Sequence, residues 1–167
     1  LAKYRGAFKI PYHSIIEAGV NASKYDRVAV IGTHMTVQSG LYKHELEARG
    51  KKVSQRPTQL FVSIVEEGIF YGNMVEAVVK FYLEPFRKFK PQELILGCTH
   101  FPFLKDIIAR LMDNVRIIDP ADEIVREVSH LVGSGRSFVE FYVTGDPEEF
   151  ERKLKKIGFR HPYQMKH

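Results

Sequence analysis

The chain has 167 residues, a formal net charge of +5, 44% hydrophobic residues and a single cysteine. This hydrophobic content excludes a disordered chain, and one cysteine excludes a disulfide framework or a zinc site of the C-x-x-C type. No apolar run reaches the roughly 18 residues that a membrane span needs. Because the densest basic runs, residues 87–90 and 153–156, end predicted helices, we expect no nucleic-acid partner. A single cysteine fits a reducing, cytoplasmic setting.

Apolar strand patterns and helical patterns alternate through the first half of the chain. In chain order, we predict a buried strand over 27–32, a helix over 37–49 closed by Gly50, a short strand starting at Val53, and a long helix capped by Asn73. Residues 60–68 fit a strand or a helix equally well. Pro85 is expected to kink or end the long helix.

The alternation continues in the second half. We predict a strand over 93–97, a helix with Pro102 in its first turn, a strand over 115–118, a helix over 121–132, a strand over 137–143, and a helix over 147–157 capped by Asp146. This order predicts an α/β fold, with a three-layer αβα domain and a mainly parallel sheet.

Two of the predicted strands end in small hydroxyl residues directly before a helix. These ends are residues 32–36 (Gly-Thr-His-Met-Thr) and residues 97–100 (Gly-Cys-Thr-His). Ligands of parallel sheets bind beyond the carboxyl ends of the strands, and backbone N–H groups at helix starts attract anions. The sequence therefore predicts a carboxylate-binding pocket at this edge.

Cys98 is the candidate reactive group of that pocket. A position before a helix N-terminus favours the thiolate, and His100 can exchange a proton with a group in the same pocket. The alternative is an inert buried cysteine and a loop histidine.

Other kinds of site fit the sequence less well. A phosphatase loop would need an arginine shortly after Cys98, and none is present there, whereas a thiol protease with a distant histidine stays open. The other histidines lack metal-ligand spacing and no glycine-rich phosphate loop occurs, so we expect neither metal nor nucleotide.

Four segments, in order along the chain, share the motifs of one family. Residues 16–19 (IEAG) are similar to I-E-P-G, residues 30–42 (VIGTHMTVQSGLY) to I-G-T-x-x-T-V-x-S-x-x-Y, and residues 61–68 (FVSIVEEG) to F-V-P-L-V-E-x-G. Residues 94–104 (LILGCTHFPFL) resemble the second cysteine signature of glutamate racemases, in the aspartate/glutamate racemase superfamily. Departures are Ala18 and Ser63 for proline, and Thr58-Gln59 for C-P. His100 separates the chain from the aspartate racemases, which usually carry Glu there.

The resemblance implies a cofactor-independent, two-base interconversion of L-glutamate and D-glutamate that supplies D-glutamate for peptidoglycan. One cysteine thiolate removes the α-proton, and a second cysteine, as a thiol, protonates the opposite face. By resemblance, Cys98 is one of these bases, His100 assists its proton transfer, and Glu66 orients His100. Thr99 and His100 line the substrate site, and the candidates for binding the substrate carboxylate or amine are Thr33 and Thr36. The implied partner is glutamate, with a homodimer left open.

The family's first half carries D-S-G, Y-G and C-N-T-A-S motifs, and none of them occurs here. Because one cysteine cannot supply two bases, we expect this chain to be the second half of such an enzyme. The family pattern then assigns residues 21–126 to the second domain, which carries Cys98, and residues 1–20 and 127–167 to the first. One alternative is a catalytically incomplete fragment that binds glutamate or regulates. Another is a racemase for a different amino acid or a hydantoin, against which His100 argues.

Overall fold

A computed structural model describes residues 12–133 and 137–166 of the chain. Its main sheet contains β1 (Arg27–Gly32), β2 (Lys52–Pro57), β3 (Glu93–Gly97) and β4 (Arg116–Ile118). The strands are all parallel, in the order β2-β1-β3-β4. This arrangement confirms the predicted α/β fold with a parallel sheet, and it brings the carboxyl ends of β1 and β3 side by side.

Helices connect these strands. The helices are α1 (Ile15–Ala22), α2 (His34–Ser39), α3 (Leu41–Glu47), α4 (Leu60–Glu66), α5 (Asn73–Leu83), α6 (Phe86–Phe89), α7 (Lys105–Leu111), α8 (Pro120–Val128) and α9 (Pro147–Lys156). Short 3₁₀ turns lie at Phe101–Leu104 and Ser129–Leu131. Within the described ranges, every helix is too short or too polar to cross a bilayer.

Alternate residues of the two central strands face two separate cores, as a sheet covered on both sides requires. One core contains Ala29 and Ile31 of β1, Leu94 and Leu96 of β3, and side chains from α4, α5 and α7. The other contains Val28, Val30 and Ile95 with side chains from α1 and α3. The main sheet is therefore the middle layer of the predicted αβα sandwich.

A smaller unit follows α8. Strands β5 (Val139–Tyr142) and β6 (Tyr163–Lys166) pair in parallel as a separate sheet, and α9 connects them. Phe141 packs edge-to-face on Phe150 of α9 and on Tyr163 of β6. The Asp146 carboxylate accepts a hydrogen bond from the N–H of Glu148, which confirms the predicted cap of α9.

Several helix predictions need correction. The predicted helix over 37–49 is two helices, because Gly40 has a φ of 65°, in the left-handed region that ends a helix. The segment 60–68, which fitted a strand or a helix, is helical over residues 60–66, as α4, and ends in a turn. Asn73 is the first residue of α5 rather than its cap, and Gly72 precedes it without a side-chain cap. The predicted helix over 121–132 ends as an α-helix at Val128.

Two elements were not predicted, α1 and β6, and the strand over 137–143 is shorter than expected. The helix with Pro102 in its first turn begins as a 3₁₀ turn, and α5 ends at Leu83, before Pro85. The assignment of residues 1–11 to a first domain lies outside the described residues.

Candidate active site

The candidate site lies where β1 and β3 end. Gly32 and Gly97, their last residues, are partners in the parallel register. A Cβ on Gly97 would lie 2.8 Å from the carbonyl oxygen of Ile31. A glycine therefore lets the strand ends approach closely, and Cys98 follows directly on the loop beyond the sheet.

Cys98, His100 and Glu66 form a connected chain of side chains. The Cys98 Sγ lies 3.6 Å from Nδ1 of His100, within hydrogen-bond distance for sulfur. On the other side of the ring, Nε2 of His100 lies 2.7 Å from Oε1 of Glu66. Cys98 and His100 are half-buried. The structure thus brings the three predicted catalytic residues into one array.

Packing of two phenylalanines fixes the relative positions of Glu66 and His100. Glu66 is the last residue of α4, and His100 precedes the 3₁₀ turn. Phe61 of α4 and Phe101 of the turn are both fully buried, with ring centroids 5.4 Å apart in an edge-to-face arrangement. Burying an aromatic ring of this size contributes about 1.5–3 kcal/mol, so this contact holds the two polar residues on a rigid apolar base.

A fourth residue, Lys153 of α9, completes the array. Its Nζ lies 2.7 Å from Oε2 of Glu66. The hydrogen bond from Lys153, followed by that from His100, holds the pKa of the Glu66 carboxyl below its usual value. The side chains of Glu66 and Lys153 are 46% and 42% exposed, so solvent screens this pair. Glu66 is therefore an ionised acceptor at neutral pH.

The ionised Glu66 decides which nitrogen of His100 carries a proton. A carboxylate only accepts hydrogen bonds, so Nε2 is the N–H donor to Glu66 in this network. In the neutral ring, Nδ1 is then an acceptor that faces the thiol of Cys98. Transfer of the thiol proton to Nδ1 yields a thiolate and an imidazolium, and the carboxylate of Glu66 stabilises the imidazolium. This arrangement can generate a nucleophilic or basic sulfur.

Two cavities flank this array. The first, called here the thiol cavity, has a volume of about 210 Å³ and is lined by Thr36, Tyr42, Cys98, Thr99 and Asp119, among others. Tyr42 is almost fully buried. Burial, together with the negative charge of Asp119, raises the pKa of the Tyr42 phenol far above its ordinary value, so it stays a neutral donor.

The second, called here the helix cavity, has a volume of about 230 Å³ and lies between α4, the 3₁₀ turn and α9. Glu66, His100 and Lys153 line it together with apolar side chains, and Thr99 lines both cavities. The sulfur and the imidazole therefore face different cavities on the two sides of Thr99, an exposed residue.

The two candidate threonines of α2 have different positions. Thr33 is the N-cap residue, and its Oγ1 accepts a hydrogen bond from the N–H of Thr36. The Thr36 hydroxyl lies 3.0 Å from that of Thr33 and 3.3 Å from the carbonyl oxygen of Gly97. Thr36 lines the thiol cavity, whereas Thr33 contacts Thr36. The threonine pair thus joins the end of β1 to the loop that carries Cys98.

Sequence reasoning did not find three of the residues at this site. Lys153 is 87 positions from Glu66, and no local pattern connects them. Tyr42 lies in a segment that resembles a family motif, and Asp119 directly follows the predicted strand over 115–118, but no role was assigned to either. In the described part of the chain, no group of three or more His, Cys, Asp or Glu side chains is arranged to hold a metal ion.

Comparisons with known proteins show which family this chain is similar to. A family profile described as "Asp/Glu/Hydantoin racemase" matches residues 1–128. A glutamate racemase of Aquifex aeolicus is 36% identical over 162 residues, which cover 94% of this chain and 63% of that protein. One of Carboxydothermus hydrogenoformans is 38% identical over 140 residues, 79% of this chain and 51% of that protein. The chain thus spans about half to two thirds of the length of these relatives.

A solved structure gives the same result for the fold. Glutamate racemase from Francisella tularensis, in complex with D-glutamate, superimposes with a TM-score of 0.84 at 31% sequence identity. The superposition covers 96% of this chain and 65% of that chain. The similarity therefore includes the main sheet and the smaller unit.

Proposed function

This chain belongs to the Asp/Glu/hydantoin racemase family, and we propose that it carries one of the two acid–base faces of a cofactor-independent glutamate racemase. The enzyme would interconvert L-glutamate and D-glutamate. The observation that carries the proposal is the Cys98–His100–Glu66 array at the carboxyl ends of β1 and β3.

The proposed chemistry begins at the α-carbon of glutamate. The Cys98 thiolate removes the α-proton, the electron pair of the C–H bond stays on the carbon, and a planar carbanion forms. A thiol on the opposite face gives a proton to that carbon, which inverts the configuration. In the reverse direction the two sulfurs exchange roles. His100 takes the thiol proton of Cys98 before the reaction. After inversion Cys98 is a thiol that carries the former α-proton, the imidazolium of His100 releases its proton to solvent, and the opposite thiolate takes a proton from solvent, which resets both sulfurs.

The substrate is proposed to bind in the thiol cavity beside Cys98. Thr36 and Thr99 provide hydroxyl groups at its wall, and Thr33 holds Thr36 in place. Fixed donors stabilise the carbanion, because an amino-acid α-proton is a very weak acid and the barrier is largely electrostatic. His100 contributes from the other side of Thr99.

Because this sequence contains one cysteine, we propose that the thiol for the opposite face comes from residues outside it. We propose that residues 21–126 are the second domain and that residues 1–20 and 127–167 belong to the first. Both boundaries lie in helices that contact each other, α1 and α8, as expected where a chain passes twice between two domains. Exposed apolar side chains of residues 127–167 support the division; they are Leu131, Val132, Phe138 and Tyr142.

The cellular role follows from the product. We propose that the D-glutamate enters peptidoglycan synthesis in the cytoplasm and that the active enzyme is a homodimer. Sedimentation of the complete gene product at twice its monomer mass is the expected result for the dimer.

The test uses the complete gene product with L-glutamate or D-glutamate in D₂O. Circular dichroism follows inversion, and ¹H NMR follows loss of the α-proton signal. We expect inversion and exchange with both enantiomers, and a loss of at least 10²-fold in Cys98→Ala, the range of general acid–base catalysis. Turnover that survives Cys98→Ala would disprove the proposal.

A glutamate-binding or regulatory module is the second candidate, because this sequence contains only one cysteine. It predicts that glutamate binds but that its α-proton exchanges for one enantiomer only, or for neither. Isothermal titration calorimetry with each enantiomer, run beside the exchange assay, separates the two candidates.

A further inference from the structure

Helix α9 contacts the end of α4 through two lysines. Lys153 Nζ lies 2.7 Å from Oε2 of Glu66 and 3.3 Å from a carboxylate oxygen of Glu149. Lys156, almost one turn later, donates from Nζ to the backbone carbonyl of Glu67 at 3.1 Å. One lysine therefore binds the carboxylate of the array, whereas the other binds only the backbone beside it.

The two oxygens of Glu66 have separate partners. Oε1 faces Nε2 of His100, and Oε2 faces Nζ of Lys153. Glu66 is the final residue of α4 and its side chain is 46% exposed, so burial alone does not fix its rotamer. A contact on each oxygen holds the plane of the carboxylate, and that plane determines the direction of its bond to His100.

We propose that Lys153 is a positioning residue: by holding Oε2 of Glu66, it keeps Oε1 on His100 and thereby keeps Nδ1 of the imidazole directed at the Cys98 thiol. This inference deepens the proposed function and rests on it for its role in the reaction. It also means that α9 helps to position the Cys98–His100–Glu66 array. The charged and titratable groups around Glu66 are His100, Cys98, Glu67 and, from α9, Glu149, Lys153 and Lys156.

Cys98 can be observed without turnover, because it is the only cysteine of the chain. Iodoacetamide alkylates the thiolate, so its rate as a function of pH reports how readily the Cys98 proton is lost. In Lys153→Met, Glu66 loses its second contact and stabilises the imidazolium less well. We expect the midpoint of the alkylation profile to rise by about half a pH unit, with a roughly three-fold slower reaction at pH 7.

Matched variants separate positioning from a general loss of charge. Lys156→Met removes an equal cation from the same helix without touching the carboxylate, and we expect its alkylation profile to match that of the wild type. Lys153→Arg keeps a cation able to reach Oε2, and we expect it to restore the wild-type midpoint. A wild-type profile in Lys153→Met, or an equal shift in Lys156→Met, would overturn the proposal.

The Lys153 side chain is 42% exposed, so its replacement leaves the core intact, and far-UV circular dichroism checks this. Lys153→Gln is measured in parallel, and we expect the midpoint of its alkylation profile to rise as it does in Lys153→Met. Alkylation needs neither glutamate nor a second thiol. A protein that fails to racemise glutamate but shows these shifts contradicts the proposed function alone, and a racemase without the shifts contradicts only the role of Lys153.

Discussion

Gly32 and Gly97 are register partners at the ends of two parallel strands, and their lack of side chains sets how closely those strand ends approach. A Cβ on Gly32 would lie 2.9 Å from the side chain of Thr36, and one on Gly97 would lie 2.8 Å from a backbone oxygen. Thr36 of α2, which follows β1, and Cys98, which follows β3, therefore line the same cavity because two glycines allow the strand ends to approach closely.

Gly97→Ala tests this relationship. The added methyl group would contact backbone on one side and Thr36 and Tyr42 on the other, so β3 must shift away from β1. We expect the free energy of unfolding to fall by about 1–3 kcal/mol, the usual cost of overpacking, as measured by urea denaturation. Gly145→Ala is the control, because no atom lies within 4 Å of its added Cβ; an equal loss there would contradict the explanation.

The His100–Glu66 contact gives a second prediction. Glu66→Gln keeps the shape of the side chain but removes the charge that stabilises the imidazolium, and His100→Asn removes the proton acceptor. We expect each to slow Cys98-dependent α-proton exchange of glutamate by about 10²-fold with little change in KM, because both act on proton transfer rather than on binding.

Glu67→Gln is the control for this pair. Glu67 is an exposed neighbour whose backbone oxygen, rather than its carboxylate, accepts the hydrogen bond from Lys156. Exchange at the wild-type rate is expected in Glu67→Gln. A comparable loss in that variant would mean that net charge, and not the contact with His100, controls the reaction.

The residues of the candidate site differ in how well the sequence predicts them. Strands β1 and β3 are short apolar runs that end in glycine, and this pattern predicted both strands and the strand end that carries Cys98. Glu66 was assigned its role only through resemblance to family motifs, whereas the position of His100 two residues after Cys98 already indicated proton exchange. The contact of Lys153 with Glu66 could not be predicted, because it depends on how α9 packs on α4, and no local pattern encodes that packing.

The missed elements have simple physical explanations. Helix α1 has eight residues and includes a glycine, so its helical period is short and weak. Strand β6 alternates between half-buried and exposed over only four residues, too few for a period-two pattern to be distinctive. Gly40 lies inside an otherwise continuous helical pattern, and its left-handed φ depends on how α2 and α3 pack around it.

Glu93, at the start of β3, gives a prediction about stability. It is fully buried, and its carboxylate accepts hydrogen bonds from the Ser23 hydroxyl at 2.7 Å, from the N–H groups of Lys24 and Tyr25, and from the Arg116 guanidinium at 2.6 Å. Burial alone would raise the pKa of Glu93, but these hydrogen bonds outweigh it and leave the pKa below its usual value. The ionised carboxylate therefore stabilises the folded chain.

The sign of the pH dependence follows from that lowered pKa. The stabilisation is present above the unfolded-state value near 4.3 and is lost as the pH falls through the lower folded-state value. We expect Glu93→Gln to reduce the free energy of unfolding by about 1.5–3 kcal/mol at pH 7, because a fully buried carboxylate with several hydrogen-bond donors is lost and Arg116, whose side chain is 36% exposed, loses its counter-charge. In urea denaturation, the difference in the free energy of unfolding between Glu93→Gln and the wild type should become smaller below pH 4.

An exposed ion pair provides the comparison for Glu93. Glu84 contacts Arg87 at 2.8 Å, and both side chains are largely exposed. Glu84→Gln is expected to change the free energy of unfolding by less than about 1 kcal/mol. If Glu93→Gln were equally mild and its effect did not depend on pH, the buried network would not have the structural role described here.

Tyr42 provides the last prediction, on substrate binding rather than proton transfer. Its ring packs beside Gly97, and the residue lines the thiol cavity with Cys98. Burial, followed by the charge of Asp119, raises the pKa of the Tyr42 phenol well above the ordinary value near 10. The hydroxyl is therefore a neutral donor throughout the pH range of an exchange assay.

Tyr42→Phe removes that donor and keeps the ring. We expect the Kd for glutamate, measured by calorimetry, to rise by about ten- to 150-fold, the value of one hydrogen bond to a charged ligand, and to do so equally at pH 6 and pH 9. The pH profile of Cys98 alkylation should stay unchanged, because the phenol does not belong to the Cys98–His100–Glu66 array. Unchanged glutamate affinity would place the substrate elsewhere, and an affinity loss confined to high pH would mean that the phenol ionises despite its burial.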